Sequence, residues 1–183
     1  MKTFGKMVIR IGQRIPQSFF VAQGHGESDL AVHAGSFHMA LRDAGIEMFN
    51  IMEYSSILPE GCREVPPPKN KVHGAVLECI MSKVTVGRGE TGCAGIGYGF
   101  LRGPTGLLHG GLVVERTGGP EDIHDRCVES LRELWRNGYD EYELSMVRVL
   151  ASSVTPKLAH GTALVALCFV DYLLGVGVGD DAV

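Results

Sequence analysis

The chain is poor in the features that most often assign a function from sequence. Its 183 residues include 17 Lys and Arg against 21 Asp and Glu, so no basic excess is available to neutralise phosphates, and we expect no nucleic-acid partner. Seven His and five Cys show neither zinc-ligand spacing nor a C-x-x-C pair, which predicts no metal site. P-loop and G-x-S-x-G motifs are missing as well, so the common nucleotide-binding and serine-hydrolase signatures are excluded.

Long hydrophobic runs are also lacking. The most apolar stretch, 163–178, contains Asp171 and is shorter than the roughly 20 residues that span a bilayer, so we expect no membrane partner. Lys6 and Arg10 interrupt the apolar residues near the N-terminus, and no signal peptide is predicted. The scattered cysteines are interpreted as buried thiols in a reducing compartment. Together these patterns predict a cytoplasmic protein.

The sequence does contain enough apolar residues for one core. Hydrophobic residues make up 45% of the chain, and its length suits a single domain over residues 1–183. Strands are predicted at 7–11, 18–22, 49–54, 75–86, 94–101, 108–116, 142–149 and 162–172. Such strands with two or three helices predict an α/β (α+β) fold, a layered sandwich of mixed β-sheet flanked by helices.

Two helices are predicted from capping residues and helix-ending glycines. Ser36 is predicted to cap a helix that ends near Gly45. Pro120 is predicted to open a second helix, which has acidic residues near its start, an apolar stripe at helical spacing, and an end at Gly138.

The remaining glycine-rich and proline-rich segments are interpreted as turns and loops. Residues 24–29 are predicted to form a loop from their composition, and 59–71, with three consecutive prolines, a surface excursion. The G-x-G-x-x-G at 87–92 is followed by a glycine-rich strand rather than a helix. A hairpin turn is therefore favoured over a phosphate-binding loop.

A pair of serines stands out once its context is considered. Ser55 and Ser56 end a strand that carries Asn50, and alone such a pair indicates an ordinary turn. The surrounding segments are Ala44-Gly45-Ile46, Ile57-Leu58-Pro59, His73-Gly74-Ala75-Val76-Leu77-Glu78, Gly111-Leu112-Val113-Val114-Glu115 and Gly161-Thr162-Ala163-Leu164. In this order and spacing, which covers nearly the whole chain, the sequence closely resembles the pyruvoyl-dependent arginine decarboxylases.

The resemblance implies a fold of the pyruvoyl decarboxylase type and self-processing without an external cofactor or metal. In that family the hydroxyl of the second serine attacks the preceding carbonyl, and elimination and hydrolysis leave a pyruvoyl group. On this chain Ser56 would become that covalent group, and the cut after Ser55 would give fragments 1–55 (β chain) and 56–183 (α chain). Family members are trimers with active sites between neighbours, which implies a homotrimer of processed protomers acting on an amino acid as a small-molecule substrate.

Two further residues match family positions near the reaction centre. Asn50 would stabilise a developing oxyanion during processing, although it is equally read as an ordinary strand-end polar residue. Glu115 would return a proton after carbon dioxide leaves, and its apolar neighbours would shield it from water. The alternative for Glu115 is a solvated carboxylate in a salt bridge with Arg116.

One position departs from the family pattern and puts the substrate in doubt. His38 stands where family members carry the aspartate that binds the substrate guanidinium, and imidazole lacks the two acceptor oxygens of a carboxylate. Glu47, Asp29 or Asp43 are the local candidates to replace it. Arginine, giving agmatine, is the first expectation. The alternatives are decarboxylation of a different amino acid and a non-catalytic member acting as an interaction subunit.

Overall fold

The computed structural model describes residues 10–177, which fold into two stacked sheets and two helices. The strands are β1 (Arg10–Ser28), β2 (Asn50–Glu53), β3 (Ile57–Leu58), β4 (Arg63–Glu64), β5 (Val76–Gly87), β6 (Gly92–Arg102), β7 (Leu108–Gly118), β8 (Glu143–Val154) and β9 (His160–Gly177). A π-helical turn, Val32–Phe37, runs into the short helix α1 (His38–Asp43), and the longer helix α2 covers Ile123–Arg136.

The two sheets differ in topology. The first sheet has the order β2-β5-β9-β1-β4, in which β2–β5 and β1–β4 are parallel and the other pairs antiparallel. The second sheet has the order β3-β7-β6-β8 and is antiparallel throughout. The predicted sandwich of mixed sheet flanked by helices is thus confirmed. The short strands β2 and β3 are edge strands of different sheets, and the two serines lie between them.

Three apolar layers hold these elements together. One layer packs α1 against the outer face of the first sheet and includes Leu41 and Leu164. The second lies between the sheets and includes Phe19 and Val113. The third packs α2 against the second sheet, with Leu131 at its centre. The order of layers is therefore helix, sheet, sheet, helix, and each layer interface buries apolar surface, the main source of folding free energy.

Glycines allow both helices to approach their sheets closely. For the glycines at 24–29 the prediction of a loop was wrong. A β-carbon on Gly24 would lie 2.4 Å from the Ala40 carbonyl oxygen of α1, and one on Gly26 would lie 2.5 Å from the Ala40 backbone nitrogen. The predicted loop at 24–29 is instead the end of strand β1, which continues to Ser28. Its glycines serve helix packing rather than a turn.

Other local predictions had mixed outcomes near the N-terminal half. The strands predicted at 7–11 and 18–22 form one strand, β1, with register shifts around Pro16, while residues 7–9 lie outside the described range. Ser36 does not cap a helix. It is buried inside the π-helical turn, and its hydroxyl forms a 2.9 Å hydrogen bond with the Thr162 hydroxyl.

The predictions for 59–71 and 87–92 hold more closely. Residues 87–92 form the tight turn between β5 and β6, with Gly89 at φ +78°. The segment 59–71 is irregular apart from the two residues of β4. All five cysteines are free and buried. Within residues 10–177, neither helix is long and apolar enough to cross a membrane.

Candidate active site

The bond between Ser55 and Ser56 lies where the chain passes from one sheet to the other. On one side, the Tyr54 amide donates a 2.7 Å hydrogen bond to the Cys79 carbonyl, which fixes the chain to β5 of the first sheet. On the other side, the Ser56 carbonyl accepts a 3.0 Å hydrogen bond from the Val113 amide of β7, in the second sheet. Ser55 is the one residue between these two attachments. The position of its carbonyl is therefore set by both sheets.

The Ser55 carbonyl oxygen accepts a hydrogen bond from the backbone amide two residues further along the chain. The Ile57 amide donates to the Ser55 carbonyl oxygen at 3.1 Å, which closes a γ-turn with Ser56 at its centre. Met146 is the only non-glycine residue in 10–177 with a positive φ, so the turn at Ser56 is the common inverse form. An N–H group thus already points at the oxygen on which negative charge would form if this carbonyl were attacked.

Ser56 is also held through its side chain. Its hydroxyl lies 3.1 Å from Oε2 and 3.3 Å from Oε1 of Glu115 in β7, and both residues are half-buried. The register that pairs Ile57 with Leu112 places Ser56 beside this part of β7. Val113 and Glu115 share the strand face that turns toward the other sheet, because side chains alternate along a strand. The structure therefore brings together the predicted pair Ser56 and Glu115, which are 59 residues apart in sequence.

A solvent-open cavity of about 330 Å³ lies at this pair, between β7 and α2. Ser56 and Glu115 line it from the sheets, and Glu133 and Asn137 line it from α2. Glu133 is exposed and forms no ion pair within residues 10–177. The cavity thus offers two serine hydroxyls, two carboxylates, an amide and one guanidinium to a small ligand, the second hydroxyl and the guanidinium belonging to Ser130 and Arg116.

The salt bridge between Glu115 and Arg116, considered as the alternative, is not among the ion pairs of residues 10–177. Arg116 donates from Nη1 to the backbone carbonyl of Glu115 at 2.9 Å and from Nε to the Ser130 hydroxyl at 2.7 Å. The guanidinium is thus directed to α2 and the backbone. The Glu115 carboxylate therefore accepts its hydrogen bond from the Ser56 hydroxyl.

The other predicted site residues lie away from this cavity within one chain. Asn50, at the start of β2, donates from its amide to the Gly74 carbonyl at 2.8 Å. His38 is exposed at the first residue of α1, and Glu47 is half-buried in the turn after that helix. None of the three lines the cavity at Ser56.

The two aspartates considered as replacements for the family's guanidinium-binding group are already bound. Asp29 accepts from the Ala159 amide at 2.9 Å and from Arg88 at 3.3 Å. Asp43 accepts from the His25 amide at 3.0 Å. Both carboxylates therefore have partners in their own chain.

Buried Glu78 lies at the centre of a charged cluster that includes Tyr54, and sequence reasoning missed it. Glu78, 3% exposed, pairs with Arg14 at 2.5 Å, and Arg14 also donates to the Tyr54 hydroxyl at 2.9 Å. Burial opposes ionisation of Glu78, but the hydroxyls of Tyr172 and Tyr54 and the Arg14 guanidinium outweigh it and lower its pKa. Burial and the neighbouring Glu78 carboxylate raise the pKa of Tyr54, so its hydroxyl stays protonated. These residues come from distant parts of the sequence, and no local motif signals their meeting.

No group of three or more His, Cys, Asp or Glu side chains in the part of the chain described is placed to bind a metal ion.

Comparison with known proteins adds an independent finding. The family described as "Pyruvoyl-dependent arginine decarboxylase (PvlArgDC)" matches residues 18–173. The chain is 32% identical to pyruvoyl-dependent arginine decarboxylase AaxB of Chlamydia abortus, over 88% of this chain and 94% of the relative. It is 32% identical to pyruvoyl-dependent arginine decarboxylase of Methanopyrus kandleri, over 83% and 95%. It is 34% identical to pyruvoyl-dependent arginine decarboxylase 2 of Archaeoglobus fulgidus, over 64% and 76%.

Proposed function

The chain belongs to the pyruvoyl-dependent arginine decarboxylase family, and we propose from this that it is a carboxy-lyase converting arginine to agmatine and carbon dioxide. The observation that carries the proposal is the arrangement at residues 55–57. The Ser56 hydroxyl is bound by Glu115, and the Ser55 carbonyl is bound by the Ile57 amide. A nucleophile, a base and an oxyanion donor thus surround one peptide bond.

The first proposed step is cleavage of the chain by its own serine. Ser56 Oγ attacks the Ser55 carbonyl carbon, its proton passes to Glu115, and the peptide C–N bond breaks to leave an ester and a free amine. Loss of the Ser56 α-proton then expels the Ser55 carboxylate and leaves a dehydroalanine. Water replaces the nitrogen, ammonia leaves, and the new N-terminus is a pyruvoyl group. One water enters and one ammonia leaves for each chain cleaved.

The Ile57 amide has a defined role in that step. As Oγ attacks, negative charge collects on the Ser55 carbonyl oxygen, 3.1 Å from this N–H. Removing a single donor of this kind in other enzymes costs about 10²–10³ in rate. Asn50, predicted from the family for the same task, is bound to Gly74. We assign the oxyanion to the Ile57 amide, which already points at it, and retain Asn50 as the residue that fixes the start of β2.

The residues around Ser56 could also serve catalysis by the pyruvoyl group that cleavage would create. The pyruvoyl ketone, once formed at Ser56, supplies the electron sink for release of carbon dioxide. Glu115 remains beside it, half-buried, where it can deliver a proton to the carbon that carbon dioxide has left. The cavity between β7 and α2 gives a small amino acid access from solvent. One carboxylate would serve first as the base in cleavage and then as the acid in turnover.

We propose that Glu133 takes the cationic end of the substrate. It lines the same cavity as Ser56 and is free of ion pairs in residues 10–177, whereas Asp29 and Asp43 are already bound. A carboxylate accepts two parallel hydrogen bonds from a guanidinium, which favours arginine over neutral amino acids. Changing Glu133→Gln should raise KM for arginine about tenfold, the loss of one charge-assisted contact. Glu129, one turn away, exposed and outside the cavity, is the matched control as Glu129→Gln.

The test of the whole proposal is carbon dioxide release by the purified protein from each amino acid in turn. Arginine should be the preferred substrate, and Ser56→Ala should be inactive on all of them. Preference for another amino acid, with arginine turnover rising in His38→Asp, would establish the alternative substrate. Absence of release from every amino acid would contradict the enzyme proposal. We also propose that the processed chain forms a homotrimer, which native mass spectrometry would test.

A further inference from the structure

Four residues, Arg14, Tyr54, Glu78 and Tyr172, form a cluster beside the proposed cleavage site, here called the Glu78 cluster. Glu78 is buried at its centre, the two tyrosines are half-buried, and Arg14 is half exposed. Its members come from three strands of the first sheet and from the end of β2. Arg14 also lies over the Tyr172 ring, with its guanidinium carbon 5.6 Å from the ring centre. The cluster therefore ties Tyr54 to β1, β5 and β9 at once.

We infer that the Glu78 cluster is a positioning device for self-cleavage, which orients the Ser55 carbonyl toward the Ser56 hydroxyl by fixing Tyr54. This inference rests on the proposed function. Tyr54 is held through its backbone by Cys79 and through its hydroxyl by Arg14. Since Ser55 is the single residue before the anchored Ser56, a shift of Tyr54 passes directly to the attacked carbonyl. In a near-attack geometry, a misplacement of about 1 Å costs about 10² in rate.

The composition of the cluster supports a role beyond packing. Glu78 is 3% exposed while its partner Arg14 is half exposed, so the carboxylate is desolvated without a fully buried partner, which costs free energy. Glu78 Oε2 has no hydrogen-bond partner within residues 10–177, so the carboxylate is not fully satisfied. The cluster keeps one charged group at this edge of the sheet, where it fixes the guanidinium that holds Tyr54.

The chain offers a close internal control for this inference. Tyr98 donates from its hydroxyl to Glu64 at 2.7 Å, Glu64 pairs with Arg148, and Arg148 lies over the Tyr98 ring. This second group has the same chemistry, a tyrosine, a glutamate and an arginine. Its glutamate lies on β4, at the opposite edge of the first sheet from β2. Loss of the Tyr98 hydroxyl should therefore affect the stability of the protein but not the geometry of the cleavage site.

The experiment follows cleavage of full-length chain made by cell-free translation, with intact mass measured over time. Tyr54→Phe should slow the appearance of fragments 1–55 and 56–183 about tenfold or more, while Tyr98→Phe cleaves within about twofold of wild type. In Tyr54→Phe, kcat measured on the cleaved fraction should change less than the cleavage rate. Arg14→Lys, which keeps a cation beside Glu78, should cleave faster than Arg14→Met.

Equal slowing by Tyr54→Phe and Tyr98→Phe would reduce the cluster to general stability and overturn the inference. Wild-type cleavage in Tyr54→Phe would overturn it also, and would leave the proposed function intact. A wild-type chain that never cleaves would overturn the proposed self-cleavage itself, and this inference with it. The three failures are distinguishable in one set of time courses.

Discussion

Glu115 is assigned two proton transfers, and replacing it with glutamine separates them. Glu115→Gln keeps the shape of the side chain and can still accept a hydrogen bond from Ser56, which lies 3.1 Å from Oε2. It removes the negative charge and the ability to accept or return a proton. The Ile57 amide that binds the Ser55 carbonyl is unaffected. We therefore expect cleavage to be slowed but not abolished.

The size of each effect follows from the contacts. A hydrogen bond to a charged group contributes about 1.5–3 kcal/mol, so cleavage should slow by roughly 10- to 100-fold. In turnover, a positioned acid contributes about 10²–10⁴, so kcat of the cleaved variant should fall about 10²-fold or more, which is at least about 2.7 kcal/mol. Binding of substrate should change little, because Glu133 rather than Glu115 is assigned the cationic end.

The assay measures cleavage and turnover on the same preparation. Intact mass gives the fraction cleaved during prolonged incubation, and carbon dioxide release per cleaved chain gives kcat. Glu129→Gln, exposed on α2, controls for loss of one negative charge. Wild-type rates of both cleavage and turnover in Glu115→Gln would refute the assignment. A normal kcat with slow cleavage would leave Glu115 a role in processing alone.

Three other predictions concern stability and substrate binding. Glu78 has a lowered pKa in the folded protein, so its contribution to stability is present above the unfolded pKa of about 4.3 and is lost as pH falls through the folded value. Glu78→Gln should therefore reduce the acid dependence of the unfolding free energy and cost about 1–2 kcal/mol in urea unfolding at neutral pH, because Gln retains polar contacts and the Arg14 partner is half exposed. A variant as stable and as acid-sensitive as wild type would contradict this. Gly24→Ala should destabilise the protein by about 1–3 kcal/mol, because the added β-carbon meets the α1 backbone. Gly138→Ala, which has open space around it, should change the stability by less than about 0.5 kcal/mol. Equal effects of the two substitutions would contradict the packing role of Gly24. Glu133→Gln should raise KM for arginine with kcat little changed, and an unchanged KM would remove Glu133 from the binding site.

The proposed reacting residues were predicted through the family resemblance, because alone the serine pair indicates an ordinary turn and Glu115 an ordinary strand carboxylate. Ser55 and Ser56 follow a short strand and Glu115 lies in an apolar strand, and the order and spacing of these segments along the chain carried the resemblance. Their contact could not be derived from periodicity, because it depends on β3 pairing with β7 in one particular register. The resemblance to a family supplied that juxtaposition.

The glycines of β1 show where composition misleads. Glycine favours turns when only local conformation is considered, and residues 24–29 contain two of them. In the structure, Gly24 and Gly26 are required because α1 packs so close to β1 that a β-carbon at either position would clash with it. The local sequence does not show this tertiary contact. Ser36 is a similar case, because its partner Thr162 is 126 residues away.

The Glu78 cluster was beyond sequence reasoning for a related reason. Arg14, Tyr54, Glu78 and Tyr172 are spread over most of the chain, and each alone reads as an ordinary strand residue. Their meeting depends on the order of strands in the first sheet, which places β5 beside both β2 and β9. Charged residues with buried partners can be identified only once that order is known.

The most direct test of the central claim is the intact mass of the purified wild-type protein beside Ser56→Ala. We predict two wild-type fragments, 1–55 and 56–183, with the larger one lighter by one ammonia than simple hydrolysis would give and reducible by borohydride. Ser56→Ala should remain one full-length chain. A single stable wild-type species of 19.7 kDa after prolonged incubation, or a fragment that begins with a free Ser56 amine, would contradict the account.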